Sequence, residues 1–327
     1  QQSAIRALLD RIVAWIVHGS SWNIHAIILL GSLPSGWGSL QHGDLDIMVI
    51  TRIYDPLLPY RVQQALRGAA TPCRIEVSQW PMALFKRSRS VSVYDIRRTG
   101  RILHGSEEVL ELVSHWGKIP KYEGLRYFFN IAVVNLVSSL TRESLKKEIE
   151  LDKNLVGEII YQCNKAYLAS CAALLILEGE YQIGYENRWQ HFESLYRERY
   201  DSLREDIPDL AFKVRLATDF KLGKTSISSH LTGILDQTLT DVSKIMKYCL
   251  NRYFGKRQED AVLLLKLLKN FPPNAVNRIY YFQRYVSTFL TPPPLSSLFV
   301  EPITSVYTAG GCLLLAANSR TLTPFLD

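Results

Sequence analysis

Two short apolar runs that enclose a glycine-rich loop constrain the fold of this chain most strongly. The first run covers residues 24–30 and the second covers residues 47–50, and both are of strand length and rich in β-branched residues. Between them, residues 31–46 read Gly-Ser-Leu-Pro-Ser-Gly-Trp-Gly-Ser-Leu-Gln-His-Gly-Asp-Leu-Asp. Glycine and proline interrupt regular structure. The sequence therefore predicts a strand, a Gly-Ser loop and a second strand that opens with Asp-x-Asp.

The two aspartates at the start of the second strand indicate a cation site. Residues two apart on a strand point to the same face of the sheet, so Asp44 and Asp46 are expected to project together. Two carboxylates this close repel each other unless a cation lies between them. Carboxylate oxygens suit Mg²⁺, often with a substrate phosphate completing its coordination. The backbone amides of the adjoining loop, beginning with Gly31 and Ser32, can bind such a phosphate.

This ordered combination resembles the signature of the DNA polymerase β-like nucleotidyltransferase superfamily. The shared features are an apolar strand, Gly-Ser, a glycine-bearing loop and Asp-x-Asp within a second apolar strand. A third carboxylate on a later strand completes the signature, and Glu76 is the candidate, with Asp55 and Glu107 as the next residues to test. The resemblance covers residues 1–110 best. It is closest to the aminoglycoside-type and minimal nucleotidyltransferases.

The resemblance implies a reaction and gives roles to particular residues. Such an enzyme transfers an NMP, with AMP as the first choice, from ATP or another NTP to a hydroxyl of a small-molecule acceptor, and it releases pyrophosphate. Two Mg²⁺ ions are expected, held by Asp44, Asp46 and Glu76, and Glu76 is alternatively the general base. Gly31 and Ser32 are expected to bind the β- and γ-phosphates.

A change of pattern near residues 115–122 predicts a division of the chain. Before it, short apolar runs alternate with amphipathic ones, and helical spacing is followed by Ile5, Leu8, Leu9, Ile12, Val13 and Ile16. After it, long stretches have the helical period, at 127–140, 155–178, 235–253 and 260–270. We expect an α+β fold with a small mixed-sheet nucleotidyltransferase domain and flanking helices over 1–118, an all-helical bundle over 119–290, and an irregular C-terminal arm over 291–327.

The formal net charge of +7 favours a polyanionic ligand, such as a nucleoside triphosphate or a nucleic acid, or an acidic partner. Three basic clusters are either solvated faces or contacts to a triphosphate or RNA: Lys86, Arg87 and Arg89; Arg97, Arg98 and Arg101; Lys213, Arg215, Lys221 and Lys224. Two alternatives to a small-molecule acceptor therefore stay open. One is modification of a macromolecule, at a tRNA end or a protein side chain, and the other is a catalytically silent nucleotide-binding module.

Cysteine usage and hydropathy favour a cytoplasmic protein without a membrane partner. The five cysteines are scattered and form neither a Cys-x-x-Cys pair nor a spacing typical of metal ligands. Reduced and buried thiols are therefore expected. No apolar run reaches the ~18 residues typical of a membrane-spanning helix.

Overall fold

The computed structural model consists of α-helices and one small β-sheet. It describes residues 2–31, 44–55, 57–58, 61–62, 74–113, 117–137, 153–225, 231–270 and 302–318. Within these residues, the chain divides into two compact units, one extending to Gly117 and the other beginning at Lys118. The first unit holds the sheet, and the elements described in the second unit are helices. The structure is therefore an α+β protein with mostly helical content.

The first unit surrounds a four-stranded sheet. In chain order, its elements are α1 (Gln2–Ser20), β1 (Ile24–Leu30), β2 (Asp44–Thr51), β3 (Arg74–Pro81), α2 (Met82–Arg87), α3 (Val91–Thr99), β4 (Arg101–His104) and α4 (Glu108–Glu111). The strand order is β3-β2-β1-β4. Strand β1 runs antiparallel to β2 and β4, whereas β2 and β3 are parallel. The prediction of a small mixed sheet is thus confirmed.

Alternating side chains of the strands form an apolar layer on each face of the sheet. On one face, called the α1 face, the helix α1 packs against the strands through residues spaced four apart, Leu8, Ile12 and Ile16. This confirms the helical spacing predicted for the start of the chain. On the opposite face, called the α3 face, the strand residues Met48 and Ile50 pack with Phe85, Val93 and Ile96 of α2 and α3.

All regular elements described in the second unit are helices. They are α5 (Lys121–Phe128), a π-helical segment (Phe129–Val134), α6 (Lys153–Glu178), α7 (Tyr185–Arg199), α8 (Asp201–Asp206), α9 (Leu210–Lys221), α10 (Leu231–Phe254), α11 (Ala261–Lys266), a 3-10 turn (Leu267–Asn270) and α12 (Pro302–Asn318). The helices predicted over 155–178, 235–253 and 260–270 are confirmed.

Helix α6 lies at the centre of the second unit and is buried along residues 166–177. Helices α5, α9 and α10 pack against it. Within the described residues, its segment Val156–Glu178 is the one helix long and apolar enough to cross a membrane, and 83% of its most apolar stretch is buried inside the structure. A core helix of a globular unit has the same composition, so this segment is only weak support for a membrane span.

A buried carboxylate, Asp241 of α10, joins three helices of the second unit. Its side chain is 1% exposed and accepts hydrogen bonds from the Tyr167 hydroxyl at 2.8 Å, Lys213 Nζ at 2.7 Å and Gln237 Nε2 at 2.9 Å. Burial opposes the charge of Lys213, but its bonds to Asp209 and Asp241 outweigh burial and raise its pKa. Burial, reinforced by the charge of Asp241, also raises the pKa of Tyr167. The chain itself therefore supplies the donors that this buried charge needs.

The prediction of an irregular arm over residues 291–327 is wrong for Pro302–Asn318, which form α12. Two adjacent glycines lower the helix propensity of this segment. In the structure, however, Gly311 is buried, and a Cβ atom built on it would lie 2.6 Å from Leu265 Cδ2 of α11. The missing side chain lets the two helices approach closely, so tertiary packing outweighs weak local propensity. The other residues of the predicted arm lie outside the described residues.

Candidate active site

The candidate site lies at the end of the sheet where β1 finishes and β2 begins. Strand β1 ends at Leu30, which pairs with Asp46 of β2, and Gly31 follows directly. Strand β2 begins at Asp44, which pairs with Arg74, the first residue of β3. The two strands predicted on either side of the Gly-Ser loop are therefore present. Their pairing brings Gly31 and Asp46 to the same end of the sheet.

Asp46 and Glu76 stand beside each other on adjacent parallel strands, as Cα partners. Neighbouring strands are about 4.8 Å apart, so the two carboxylates leave the sheet from adjoining positions. The residues that flank them in sequence all pack into the apolar layer of the α1 face: Leu45, Ile47, Ile75 and Val77. By strand alternation, both carboxylates therefore project from the α3 face. Asp46 is half-buried and Glu76 is exposed.

Gly31 has two structural reasons to be a glycine. Its φ is +82°, in the left-handed region that side chains other than glycine rarely adopt. A Cβ atom built on it would also lie 2.9 Å from Asp46 Oδ2. The backbone of Gly31 thus passes directly beside the Asp46 carboxylate. Gly31 is exposed and Asp46 is half-buried.

Two of the predicted site residues lie wholly or partly outside what the structure describes. Ser32 lies outside the described residues, so its contact with phosphate stays a prediction. Asp44 is placed as the first residue of β2, but its side chain is not among those described. The projection of Asp44 beside Asp46 is therefore expected from strand alternation alone.

The two alternative third carboxylates lie at the opposite end of the sheet. Strand β2 ends at Thr51, which is five residues and about 16 Å along the strand from Asp46. Asp55 lies four residues beyond that end of the strand. There it pairs with Arg61 and accepts a hydrogen bond from the Leu57 amide at 3.0 Å. Glu107 follows the far end of β4. Of the three candidates, Glu76 is the one that the sheet brings beside Asp46.

The donor atoms at this end of the sheet fit a hard divalent cation such as Mg²⁺, which prefers carboxylate oxygens. Asp46 and Glu76 supply such oxygens from neighbouring positions. Among the side chains that the structure describes, no three His, Cys, Asp or Glu residues come together as metal ligands. The side chain of Asp44, the third ligand expected from the sequence, is outside the described residues. The metal-binding triad of Asp44, Asp46 and Glu76 therefore stays a prediction.

No family model, no curated protein and no solved structure matches this chain. The chemistry of the site therefore rests on its own residues. It combines two neighbouring carboxylates with a backbone segment in a conformation favourable for glycine, at the same end of the sheet. Such an arrangement can bind a cation, hold an anion against that cation, and accept a proton through an exposed carboxylate.

Proposed function

We propose that this chain is a magnesium-dependent nucleotidyltransferase of the DNA polymerase β-like superfamily, in its small-molecule branch. The sheet-bearing unit would be the nucleotidyltransferase domain, followed by a helical bundle domain. The enzyme would transfer an NMP, with AMP as the first candidate, from an NTP to a hydroxyl of a small-molecule acceptor. The observation that supports this proposal most is the pairing of Asp46 with Glu76 on adjacent parallel strands.

The residues that would hold the metal are Asp46 and Glu76, together with Asp44 of the same strand. Their hard oxygen donors fit Mg²⁺. The bound metal would offset the negative charge of the phosphate groups and lower the pKa of the acceptor hydroxyl.

The chain's own groups would contribute positioning and proton transfer. In the reaction, the acceptor oxygen forms a bond to the α-phosphorus while the bond between that phosphorus and pyrophosphate breaks. The acceptor hydroxyl loses its proton, and Glu76, which is exposed, would receive it as a general base. The backbone at Gly31 would bind a phosphate oxygen beside Asp46. Holding donor and acceptor in line would account for most of the remaining rate gain.

The test is a screen for pyrophosphate release. Wild-type protein is incubated with Mg²⁺, each of the four labelled NTPs in turn and pooled hydroxyl compounds, with pyrophosphate and labelled product measured in parallel. The Asp46→Asn variant reports on the candidate site. Glu107→Gln is the matched control because it removes an exposed carboxylate at the opposite end of the sheet. We expect release by the wild type and by the control, and none by Asp46→Asn.

The outcomes separate the three functional classes. Label transferred to a small molecule supports the proposal. Label transferred to added tRNA or protein instead identifies a macromolecular acceptor. Binding of nucleotide without pyrophosphate release identifies a silent module, and the absence of both binding and release overturns the nucleotidyltransferase assignment.

A further inference from the structure

We propose that two copies of this chain associate through helix α9, as an antiparallel and two-fold symmetric pair centred on Phe212. The inference goes beyond the proposed function, because it concerns a surface of the second unit and requires no nucleotide. Two observations carry it: an exposed apolar side chain on the outward face of α9, and the order of the charges on either side of that residue.

The outward face of α9 has an apolar centre. The buried side of the helix includes Leu210, Val214 and Ala217. Phe212 lies on the opposite side by helical geometry and is 59% exposed, and Leu216, one turn later, is exposed as well. An exposed phenylalanine gains stability when a second apolar surface covers it. This face of α9 is therefore suited to contact with another molecule.

Two opposite charges flank Phe212 at equal distances along the helix. Asp209 is three residues before it, and Arg215 is three residues after it. The Lys213 amide donates to the Asp209 carbonyl oxygen at 3.0 Å, so Asp209 belongs to the first turn of α9. Three residues correspond to about 4.5 Å along the helix axis and fall about 60° short of a full turn. Asp209 and Arg215 are therefore on opposite flanks of Phe212, one towards each end of the helix.

This order of charges is complementary to itself in one arrangement. A two-fold axis that passes through Phe212, perpendicular to the helix, exchanges both the ends and the flanks of this face. It therefore places Arg215 of each copy against Asp209 of the other copy. The result is two salt bridges on either side of a contact between the two Phe212 rings. Such a contact uses the same surface of both copies, as two-fold homodimers do.

Other arrangements of the same face bring like charges together. In a parallel pair, Asp209 would face Asp209 and Arg215 would face Arg215. An antiparallel pair centred midway between Phe212 and Leu216 would also cover both apolar side chains, but Asp209 of one copy would then face Asp219 of the other. Like charges that face each other across an interface disfavour that arrangement. The charges thus indicate one orientation and one register for a second copy of this chain.

The two charged side chains have contacts within their own chain that leave capacity for a partner. Asp209 accepts from Lys213 Nζ at 2.8 Å, and Arg215 Nε lies 3.9 Å from Asp219 Oδ2. Both Asp209 and Arg215 are more than half exposed. A carboxylate accepts several hydrogen bonds, and an arginine has five N–H donors. Because exposed ion pairs add little affinity, Phe212 supplies most of the affinity and the charges supply the orientation.

Single exposed apolar side chains are ordinary on protein surfaces and by themselves indicate no partner. That explanation predicts a monomer at every concentration. The proposal predicts a dimer whose stability depends on whether the charges at positions 209 and 215 are opposite. A contact made mainly by one helix of 12 residues from each copy is small for a specific interface, so we expect a dimer that dissociates in the micromolar range of concentration.

The experiment measures the mass of the full chain by sedimentation equilibrium over about 1–200 µM. The two charge reversals are Arg215→Asp and Asp209→Arg, and each creates like-charged contacts in its own dimer. A dimer of one variant with the other, however, has opposite charges at both contacts. We expect the wild type to dimerise, each variant alone to associate about tenfold more weakly or worse, and an equal mixture of the two variants to regain most of the association.

Phe212→Ser tests the apolar centre and should weaken dimerisation about tenfold or more. Trp22→Ser is the matched control, because it removes an exposed aromatic side chain from the first unit. It should dimerise as the wild type does. Thermal melting shows whether each variant is folded. Phe212→Ser should melt like the wild type, since the side chain that it removes is mostly exposed in a single copy.

A wild type that stays monomeric over the whole range overturns the proposal. Dimerisation that persists in Phe212→Ser and in both charge reversals also overturns it, because the contact would then lie elsewhere on the chain. If both charge reversals are folded and their mixture does not associate, the antiparallel arrangement centred on Phe212 is wrong. If Asp209→Arg does not fold, the difference between Phe212→Ser and Trp22→Ser decides, and equal association of these two variants overturns the proposal.

Discussion

Two acidic regions of this molecule differ in the burial and the surroundings of their carboxylates. In the second unit, Asp241 is 1% exposed, and three side chains of the chain itself donate hydrogen bonds to it. In the first unit, Asp46 and Glu76 are neighbours at one end of the sheet, one half-buried and the other exposed. Buried charges need internal partners to be tolerated. The surroundings of Asp241 are therefore typical of a structural network, whereas those of Asp46 and Glu76 are suited to a ligand that binds and dissociates.

The sharpest test of this comparison is Asp46→Asn. Transfer activity should fall to background, because the change removes a ligand of the proposed metal. The thermal midpoint should stay unchanged or rise slightly, because one charge of a like-charged pair is removed. Steady-state pyrophosphate release and thermal melting measure the two effects. Residual activity above about a tenth of wild type at saturating Mg²⁺ would contradict the metal-ligand role.

Glu76→Gln should lower kcat by about 10²-fold while nucleotide binding stays nearly intact, because it removes the proposed general base but keeps the shape of the side chain. Single-turnover kinetics together with calorimetry separate the two quantities. Glu107→Gln serves as the control at the opposite end of the sheet. A wild-type kcat in Glu76→Gln would remove Glu76 from the site.

Asp241→Asn should show the opposite behaviour. It breaks a buried charge pair with Lys213, so we expect the free energy of unfolding to fall by about 2–4 kcal/mol. Transfer activity per folded molecule should be unchanged, since none of the three side chains that donate to Asp241 belongs to the proposed site. Urea denaturation checks the first expectation. Asp236→Asn is the matched control, because Asp236 is on the same helix and exposed. Equal stabilities of the two variants would show that the Asp241 network contributes little to folding.

Gly31→Ala should lower the free energy of unfolding less than Asp241→Asn does, by about 1–2 kcal/mol, because alanine disfavours the left-handed backbone conformation. Its effect on transfer should be larger than its effect on folding, because the new methyl group would displace the Asp46 carboxylate. Gly233→Ala is the control. Gly233 is exposed within α10, and a Cβ atom there would have no neighbour within 4 Å. This control should leave stability unchanged or raise it.

The sequence was most informative where structure is local. The spacing of Leu8, Ile12 and Ile16 predicted the buried stripe of α1, and the runs around the Gly-Ser loop predicted β1 and β2. The parallel partnership of Asp46 and Glu76 joins residues 30 positions apart. A sequence pattern can place each residue on a strand, but it does not determine which strands pair or in which register.

Two helical regions show why the remaining parts of the fold could not be predicted. Helices α7 to α9 carry many charged residues, and charged residues such as Arg188 and Lys221 stand among their buried positions, which weakens the apolar pattern in the sequence. In helix α12, Gly311 lowers the helix propensity of the segment, but its missing side chain allows the close approach to Leu265. In both cases, packing against other helices decides the structure, and such long-range contacts leave no local signal.

The position of β3 at the edge of the sheet has a consequence for how the protein would respond to warming. Strand β3 has a single neighbour in the described sheet, β2, so it is held by one ladder of backbone hydrogen bonds. Peripheral elements of this kind can detach in local openings that require less free energy than global unfolding. Each opening would carry Glu76 away from Asp46 while the core around β1 stays folded. The transfer activity proposed for this site would then decline at temperatures below the main melting transition, and amide hydrogen exchange along β3 would increase over the same temperatures.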